Sequence, residues 1–326
     1  MTLRRVARRP EDRDAASRAM LAEYEAHLEA EPGPWGEQLA RPEESRLASG
    51  TLAAQLWLRG ADEVAGLAIG DYVPGVGRRL RVYLAPAYRT AEDLGQFLDE
   101  LEERSDHDGP IASVADLVPG WSEASHEATF GVRGYFRVER IVMRLPASAP
   151  LPEETVSGRP DFRPLCAEDE EALVRLMRES YDQLAGEPSP WLFYRDPNQD
   201  ARDAVQEILG GGRGEWLPWA SFGVDVAGAL KGATLVTATE VPLLSEVMVA
   251  PSLRGIGLGY ELTLESVRAL RERTPGEPHI VTTSRDLRAL RLCRRLGFVP
   301  AEVRPVGVWV NPVAVGVPPP LRTLSP

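Results

Sequence analysis

The stretch from residue 247 to residue 260, VMVAPSLRGIGLGY, holds the residue types best suited to bind a charged ligand. A strand-like segment runs into Arg254 and three alternating glycines, Gly255, Gly257 and Gly259, and a helical pattern follows. Glycine lets the backbone approach a ligand without a clash from Cβ, and the N–H groups at a helix start attract anions. The spacing therefore predicts a backbone cradle for a pyrophosphate.

Two alternatives compete with that interpretation. A dinucleotide-binding G-x-G-x-x-G loop would need glycine at position 260, where Tyr260 stands, and such a loop usually lies near the start of its βαβ domain. Here the loop follows helices and several strands. The other alternative is a glycine-rich turn that binds no ligand.

A second pattern lies further along the chain, where residues 286–298 read DLRALRLCRRLGF. Together the two stretches resemble two motifs of the GNAT superfamily of N-acetyltransferases, V-x-P-x-x-R-G-x-G-x-G for acyl-CoA binding and N-x-x-A-x-x-L-Y-x-x-x-G-F. The resemblance implies a mixed α/β sheet in which two neighbouring strands splay apart and hold the cofactor. It also implies transfer of an acetyl group from acetyl-CoA, as co-substrate, to an amine.

The resemblance also implies which residues contact acetyl-CoA. The backbone of Met248 and Val249 would bind the pantetheine arm as a strand binds its neighbour, and residues 254–260 would wrap the pyrophosphate. The complete set of implied cofactor-binding residues is Val247, Met248, Val249, Arg254, Gly255, Ile256, Gly257, Leu258, Gly259, Tyr260 and Asp286.

Direct attack by an amine requires that nitrogen to lose its proton, so a carboxylate or an ordered water must accept it. Glu246, on the strand that leads into the loop, is the first candidate for the base or a proton relay. A salt bridge to the substrate, or a solvated position on the strand, is its alternative role. Glu240, near the end of the preceding strand, is the second candidate and a candidate substrate-binding residue.

The sequence departs from the family motif at two positions. Cys293 stands where the family has the tyrosine that is often assigned as general acid, so it is a candidate catalytic acid. The favoured alternative is that Cys293 packs in the core and the CoA thiolate leaves without help. Asp286 stands where the family has asparagine, and it could cap the following helix.

The elements that must position these residues follow from hydrophobic periodicity. In the second half of the chain, it predicts helices over 168–184, 200–209, 258–273 and 285–296 and strands over 219–226, 233–241, 244–249, 279–283 and 304–310. Helices, then meandering strands, then a βαβ unit indicate a mixed sheet with helices on both faces. The predicted fold class is therefore α/β with a mixed sheet.

The pentapeptide EPGPW at 31–35 returns as EPSPW at 187–191. Matches at a similar offset, such as Tyr24 with Tyr181, indicate a tandem duplication. The predicted organisation is a GNAT-like domain, a Pro-rich linker, a GNAT domain and a C-terminal tail. Their predicted ranges are 1–145, 146–160, 161–312 and 313–326.

The repeated pentapeptide also supplies candidate acceptor residues. Because the corresponding region borders the acceptor pocket in the family, Trp191 and Tyr194 are candidate substrate-binding residues. Trp35 persists in the copy that lacks the glycines, however. The favoured alternative is therefore that each tryptophan fills the core of its own domain.

The first copy is predicted to be degenerate. Its equivalent stretch at 82–95 reads VYLAPAYRTAEDLG, in which Pro86 and Arg89 persist but the paired glycines do not. Glu92 and Asp93 stand where phosphates would lie, and their charges would repel a pyrophosphate. One intact and one degenerate domain resembles the arrangement in enzymes of the mycothiol synthase type, although no substrate follows from it.

Composition limits the partners. A net charge of −12 disfavours nucleic acid, and no apolar run is long enough for a membrane span. Four scattered histidines predict no metal site, and the only lysine, Lys231, excludes a P-loop. Two cysteines fit a reducing cytoplasm. The expected partner is a small-molecule amine, and a homodimer is left open.

The predicted function is an N-acetyltransferase that moves an acetyl group from acetyl-CoA to a primary amine of a small molecule. The chemistry is assigned to the second domain. The alternative is a non-catalytic acyl-CoA-binding or interaction protein with the same fold.

Overall fold

The structure is a computed structural model that describes residues 2–30, 47, 52–59, 63–73, 77–103, 109–115, 123–152, 161–181, 197–301 and 306–315. The chain divides into two compact units: unit 1 is Met1–Val138 with Val306–Pro326, and unit 2 is Glu139–Pro305. Each unit contains helices and a mixed sheet, which confirms the predicted α/β class. Among the described helices, none combines the length and hydropathy that a membrane span requires.

Strands and helices follow one another along both halves of the chain, and short 3-10 turns precede several helices. In chain order the described elements are β1 (Thr2–Arg5), α1 (Ala15–Ala30), β2 (Ala53–Arg59), β3 (Glu63–Val73), β4 (Gly77–Leu84), α2 (Ala91–Glu103), β5 (Ile111–Ala115), α3 (Glu123–Gly131), β6 (Phe136–Arg144), β7 (Arg163–Pro164), α4 (Glu170–Tyr181), α5 (Pro197–Leu209), β8 (Glu215–Trp216), β9 (Phe222–Val226), β10 (Ala229–Ala238), β11 (Pro242–Val249), α6 (Leu258–Arg273), β12 (His279–Thr283), α7 (Leu287–Arg295), β13 (Val299–Pro300), β14 (Val306–Val310) and α8 (Pro312–Val315).

The sheet of unit 1 has the strand order β1-β2-β3-β4-β5-β14. Neighbours from β1 to β4 are antiparallel, β5 is parallel to β4, and β14 is antiparallel to β5. Aromatic side chains fill the core: Trp57 stacks on Phe97 with centroids 5.0 Å apart, and Phe130 stacks on Trp309 at 4.9 Å. Trp309 belongs to β14, so this strand supplies part of the unit 1 core.

The sheet of unit 2 has the strand order β6-β12-β11-β10-β9-β7, and residues 139–144 of β6 lie inside the unit. Consecutive residues of a strand face opposite sides of the sheet. On β10, Leu235 packs with α4 and α5, whereas Val236 packs with α6 and α7. Helices therefore cover both faces of this sheet.

Each unit contains a strand that follows the last helix of the other repeat. The strand β6, which comes after α3, is antiparallel to β12 in unit 2, where Arg144 is opposite His279. The strand β14, near the end of the second repeat, is antiparallel to β5 in unit 1. The compact units thus differ from the predicted ranges at these two strands. The predicted ranges describe the repeat in the sequence, and they stay a prediction.

Residues 146–152, the first half of the predicted linker, lie on unit 2. The Arg271 side chain donates to the carbonyl of Ala149 at 2.7 Å, and Arg268 donates to the carbonyl of Pro152 at 2.7 Å. Both arginines belong to α6. This segment is therefore fixed along a helix of unit 2 by hydrogen bonds to its backbone.

Candidate active site

A gap opens in the sheet of unit 2 between two adjacent parallel strands. Among the described residues, β11 pairs with β12 only at Leu243 and Leu244. Beyond Leu244 both strands continue: β11 stays paired with β10 as far as Val249, and β12 stays paired with β6 along its length. The gap therefore widens toward the carboxyl ends of β11 and β12, as the GNAT resemblance implies.

The turn that leaves β11 is held by backbone and arginine hydrogen bonds. The N–H of Ala250 donates to the carbonyl of Lys231 at 2.9 Å. The Arg254 Nε donates to the carbonyl of Val249 at 3.2 Å, and its Nη2 donates to the carbonyl of Ser180 at the end of α4. Arg254 therefore ties the end of β11 to α4, and its guanidinium binds protein carbonyls.

The helix α6 starts without a side-chain cap. Its N-cap residue is Gly257, with φ of 94°, and Gly255 has φ of 83°. A Cβ on either glycine would meet no atom within 4 Å, so positive φ, rather than crowding, calls for glycine here. Within the described part of the chain, Gly257 offers the first N–H groups of α6 no side-chain acceptor and nothing fills the space beside it, an arrangement suited to an anion.

The other loop residues have different surroundings. Ile256 is 73% exposed, and Leu258 is buried in a cluster with Leu262. A Cβ on Gly259 would lie 3.5 Å from Leu292 of α7, an ordinary van der Waals contact, so the start of α6 packs against α7. Tyr260 lies under the Arg295 guanidinium, 4.2 Å from its ring centroid.

Glu246 lies on the part of β11 that has separated from β12, and its side chain is buried. The hydroxyl of Tyr181, at the end of α4, donates to Glu246 Oε2. Arg213 Nη1 lies 3.6 Å from Glu246 Oε1, and Arg213 Nε donates to Glu207 at 2.7 Å. The carboxylate is thus oriented by a phenol and a guanidinium from two other segments.

Sequence reasoning missed Tyr181 and Arg213 as functional candidates. The repeat alignment does contain a signal for Tyr181, because Tyr24 occupies the matching position in the first copy. Arg213 lies in the loop after α5 and carries no recognisable spacing relative to Glu246. Only the folded chain brings it to the carboxylate.

Glu240 is not brought near Glu246. It is exposed in the turn between β10 and β11, six residues before Glu246. The part of β11 from Pro242 to Glu246 alone spans about 13 Å, at a rise of about 3.3 Å per residue. Trp191 and Tyr194 lie outside the described residues, as do both copies of the repeated pentapeptide.

Cys293 is fully buried on α7 among apolar side chains such as Leu264 and Phe298. Burial, and to a lesser degree the charge of Asp286, raises the pKa of the Cys293 thiol to about 12. Such a thiol is poorly placed to donate a proton to a leaving group, and these features favour the packing role. Asp286 caps α7, since its Oδ1 accepts from the N–H of Ala289 at 2.9 Å.

Comparison with known proteins gives the site a family context. No family model matches the sequence. The mycothiol acetyltransferase of Pseudarthrobacter chlorophenolicus is 27% identical over 254 residues, which cover 72% of this chain and 71% of that protein.

Solved structures with a similar fold extend the comparison. A GCN5-related N-acetyltransferase from Sphaerobacter thermophilus has a TM-score of 0.58 at 21% identity, with 95% of each chain covered. A tandem GNAT protein from the clavulanic acid biosynthesis pathway has a TM-score of 0.54 at 17% identity, covering 95% of this chain and 97% of that chain. The chain therefore has a tandem GNAT fold and resembles mycothiol acetyltransferases. Fold and relatives together support an acyltransferase enzyme.

Proposed function

We propose that this tandem GNAT acyltransferase moves an acetyl group from acetyl-CoA to a primary amine of a small molecule, with the chemistry in unit 2. The observation that carries the proposal is the gap between β11 and β12, which opens beside the uncapped start of α6. The gap offers an unpaired strand edge, and the helix start offers N–H groups.

The residues present fit an acyl-CoA. Open space above Gly255 and Gly257 leaves room for phosphate oxygens against the backbone. The free edge of β11 near Met248 and Val249 can hydrogen-bond amide groups of a pantetheine arm as a third strand would. We assign Arg254 a supporting part in this site, because its guanidinium already binds the carbonyls of Val249 and Ser180.

Bound acetyl-CoA would supply a thioester carbonyl within the gap. We propose that Glu246 accepts the proton that the amine nitrogen gives up when it is acylated. Its position beyond the last paired residue of β11 supports this role, as do the hydroxyl of Tyr181 and the charge of Arg213, which hold the carboxylate in one orientation. Cys293 takes no part in this scheme, because its thiol is buried in the core.

The acceptor is proposed to be a small molecule rather than a protein. The relative described above is named for the small molecule mycothiol, which supports an acceptor of that size. A cytoplasmic location is also part of the proposal, and the two free cysteines are compatible with a reducing compartment.

Calorimetric titration with acetyl-CoA tests the proposal, using Gly257→Trp beside Gly228→Trp as a matched control. Both glycines have positive φ, 94° and 77°, and a Cβ on either meets nothing within 4 Å. The two variants therefore carry a similar backbone strain, but Gly228 lies in the turn between β9 and β10.

We expect one acetyl-CoA per chain in the wild type and in Gly228→Trp, and none in Gly257→Trp. A wild type that binds no acetyl-CoA would overturn the proposal. Equal loss of binding in both variants would show that strain, rather than a closed cradle, removes the site.

A further inference from the structure

Four of the nine residues of α7 are arginines. Arg288, Arg291, Arg294 and Arg295 are all exposed, and none forms an ion pair with any residue that the structure describes. The chain as a whole carries a net charge of −12. Four guanidinium groups without an ion pair in the described part of the chain therefore form a local positive patch on one short helix.

One face of α7 is turned toward the first turn of α6. Leu292 lies 3.5 Å from the position that a Cβ on Gly259 would take, and the Arg295 guanidinium covers the Tyr260 ring at 4.2 Å. Residues at spacing i, i+4 and i+7 share a helix face, so Arg288 lies on the face of Leu292 and Arg295. Arg294 is rotated by about 100° from Arg295, because the helix has 3.6 residues per turn.

The amino end of α7 lies at the same edge of the sheet as the glycine loop. The helix follows β12, and β12 is parallel to β11, which leads into the loop. Parallel strands have their carboxyl ends at one edge of a sheet. Arg288, in the first turn of α7, therefore lies at the same edge of the sheet as the anion cradle already described.

The stack on Tyr260 leaves Arg295 able to bind a phosphate. A guanidinium that lies over a ring uses its face, while its N–H donors point outward in its plane. Those donors match the oxygens of a phosphate monoester. Two carboxylates also belong to these helix starts: Asp286 caps α7, and Glu261 lies in the first turn of α6.

We propose that Arg288 and Arg295 bind the 3′-phosphate of the CoA ribose and make the enzyme prefer CoA over dephospho-CoA. The inference rests on the proposed function, because it assigns the phosphate monoester of the same ligand whose pyrophosphate occupies the cradle. A rise of about 1.5 Å per residue separates the two Cα atoms by about 10 Å along α7, so the side chains can approach one phosphate from two sides.

Calorimetric titration with CoA and with dephospho-CoA tests the inference, since the two ligands differ only in the 3′-phosphate. We expect the wild type to bind CoA about tenfold more tightly, as one charge-assisted contact would give. Arg288→Gln should reduce this ratio, and the double variant Arg288→Gln/Arg295→Gln should bring it to about one. The affinity for dephospho-CoA should hardly change. The matched control Arg294→Gln, equally exposed but on another face, should keep the wild-type ratio.

Equal binding of the two ligands by the wild type would overturn the inference. So would a ratio that survives in the double variant, or one that Arg294→Gln reduces as strongly. These outcomes leave the proposed function standing, because CoA still binds. A wild type that binds neither ligand would instead reject the proposed function and this inference together.

Discussion

The strand-to-helix turns of the two units are built alike up to their arginine and differ after it. In unit 1, Arg89 Nε donates to the carbonyl of Leu84 at 3.0 Å; in unit 2, Arg254 Nε donates to the carbonyl of Val249 at 3.2 Å. Each arginine bonds the carbonyl five residues before it. The arginine of the motif therefore serves the turn in both copies, including the one that has lost the glycines.

The helices that follow these turns begin differently: the one in unit 1 has a side-chain cap, and the one in unit 2 has none. In unit 1, the hydroxyl of Thr90 accepts from the N–H of Asp93 at 3.1 Å and donates to the Asp93 carboxylate at 2.6 Å. In unit 2, Gly257 leaves the start of α6 without a side-chain cap. Unit 1 thus gives its helix start a side-chain acceptor, whereas Gly257 of unit 2 supplies none.

Among the described residues, the strand pairing and the residue at the position of Glu246 both differ in unit 1. There β4 stays paired with β5 as far as Arg81, opposite Ala115. The register places Arg81 opposite Ile69 of β3, just as Glu246 lies opposite Leu235 of β10. A guanidinium therefore occupies the position of the proposed base. This difference supports the prediction that the first copy is degenerate.

The largest expected effect concerns the two strands that cross between repeats. Trp309→Ala should destabilise unit 1 by about 3–5 kcal/mol, because it removes a buried ring that stacks on Phe130. Met143→Ala, on β6, should destabilise unit 2 by about 2–5 kcal/mol. Hydrogen exchange measured by segment would locate each loss. If Trp309→Ala weakened unit 2 instead, the assignment of β14 to unit 1 would be wrong.

Removing the charge of the proposed base, Glu246, should lower the activity and leave the binding of acetyl-CoA unchanged. Glu246→Gln should lower kcat by about 10²–10⁴-fold, because it removes the group that accepts the amine proton, while the Kd for acetyl-CoA stays the same. Arg81→Gln, at the matching position of unit 1, is the control and should keep full activity. Steady-state kinetics with an accepted amine would measure both. Full activity in Glu246→Gln would remove this residue from the mechanism.

The smallest expected effect concerns the cap of unit 1. Thr90→Ala should lower the free energy of unfolding by about 1 kcal/mol, because the N–H of Asp93 loses its acceptor. Thr90→Ser keeps a hydroxyl at this position and should retain most of the wild-type stability. Denaturant unfolding would measure the cost. Titration of Thr90→Ala should still give one acetyl-CoA per chain. A second site in this variant would mean that the cap alone silences unit 1.

Local sequence predicted the elements around the site well. Residues 258–273 were predicted as a helix and 279–283 as a strand, and both have these bounds in the structure. Clear local stop signals explain this success: glycines precede the helix, and TPGEP lies between the two elements. The helix predicted over 168–184 is observed over 170–181, where the described segment also ends.

Contacts between distant segments could not be predicted in the same way. Tyr181 and Arg213 reach Glu246 across 65 and 33 positions, and no periodic pattern links them. The exchange of β6 and β14 was also invisible, because both strands follow a helix and a Gly-aromatic pair, Gly134-Tyr135 or Gly297-Phe298. Two strands with the same local signals carry no information about which sheet receives each one.

The exchanged strands limit which parts of the chain can be deleted without removing a strand from the other unit. A deletion of residues 1–145 would discard the first repeat, but it would also remove the strand that pairs with β12 beside the gap in the sheet of unit 2. A truncation before residue 306 would likewise take β14 from the first copy. Neither repeat alone therefore contains every strand of its compact unit. The first repeat therefore completes the sheet of unit 2, whatever ligand its own turn binds.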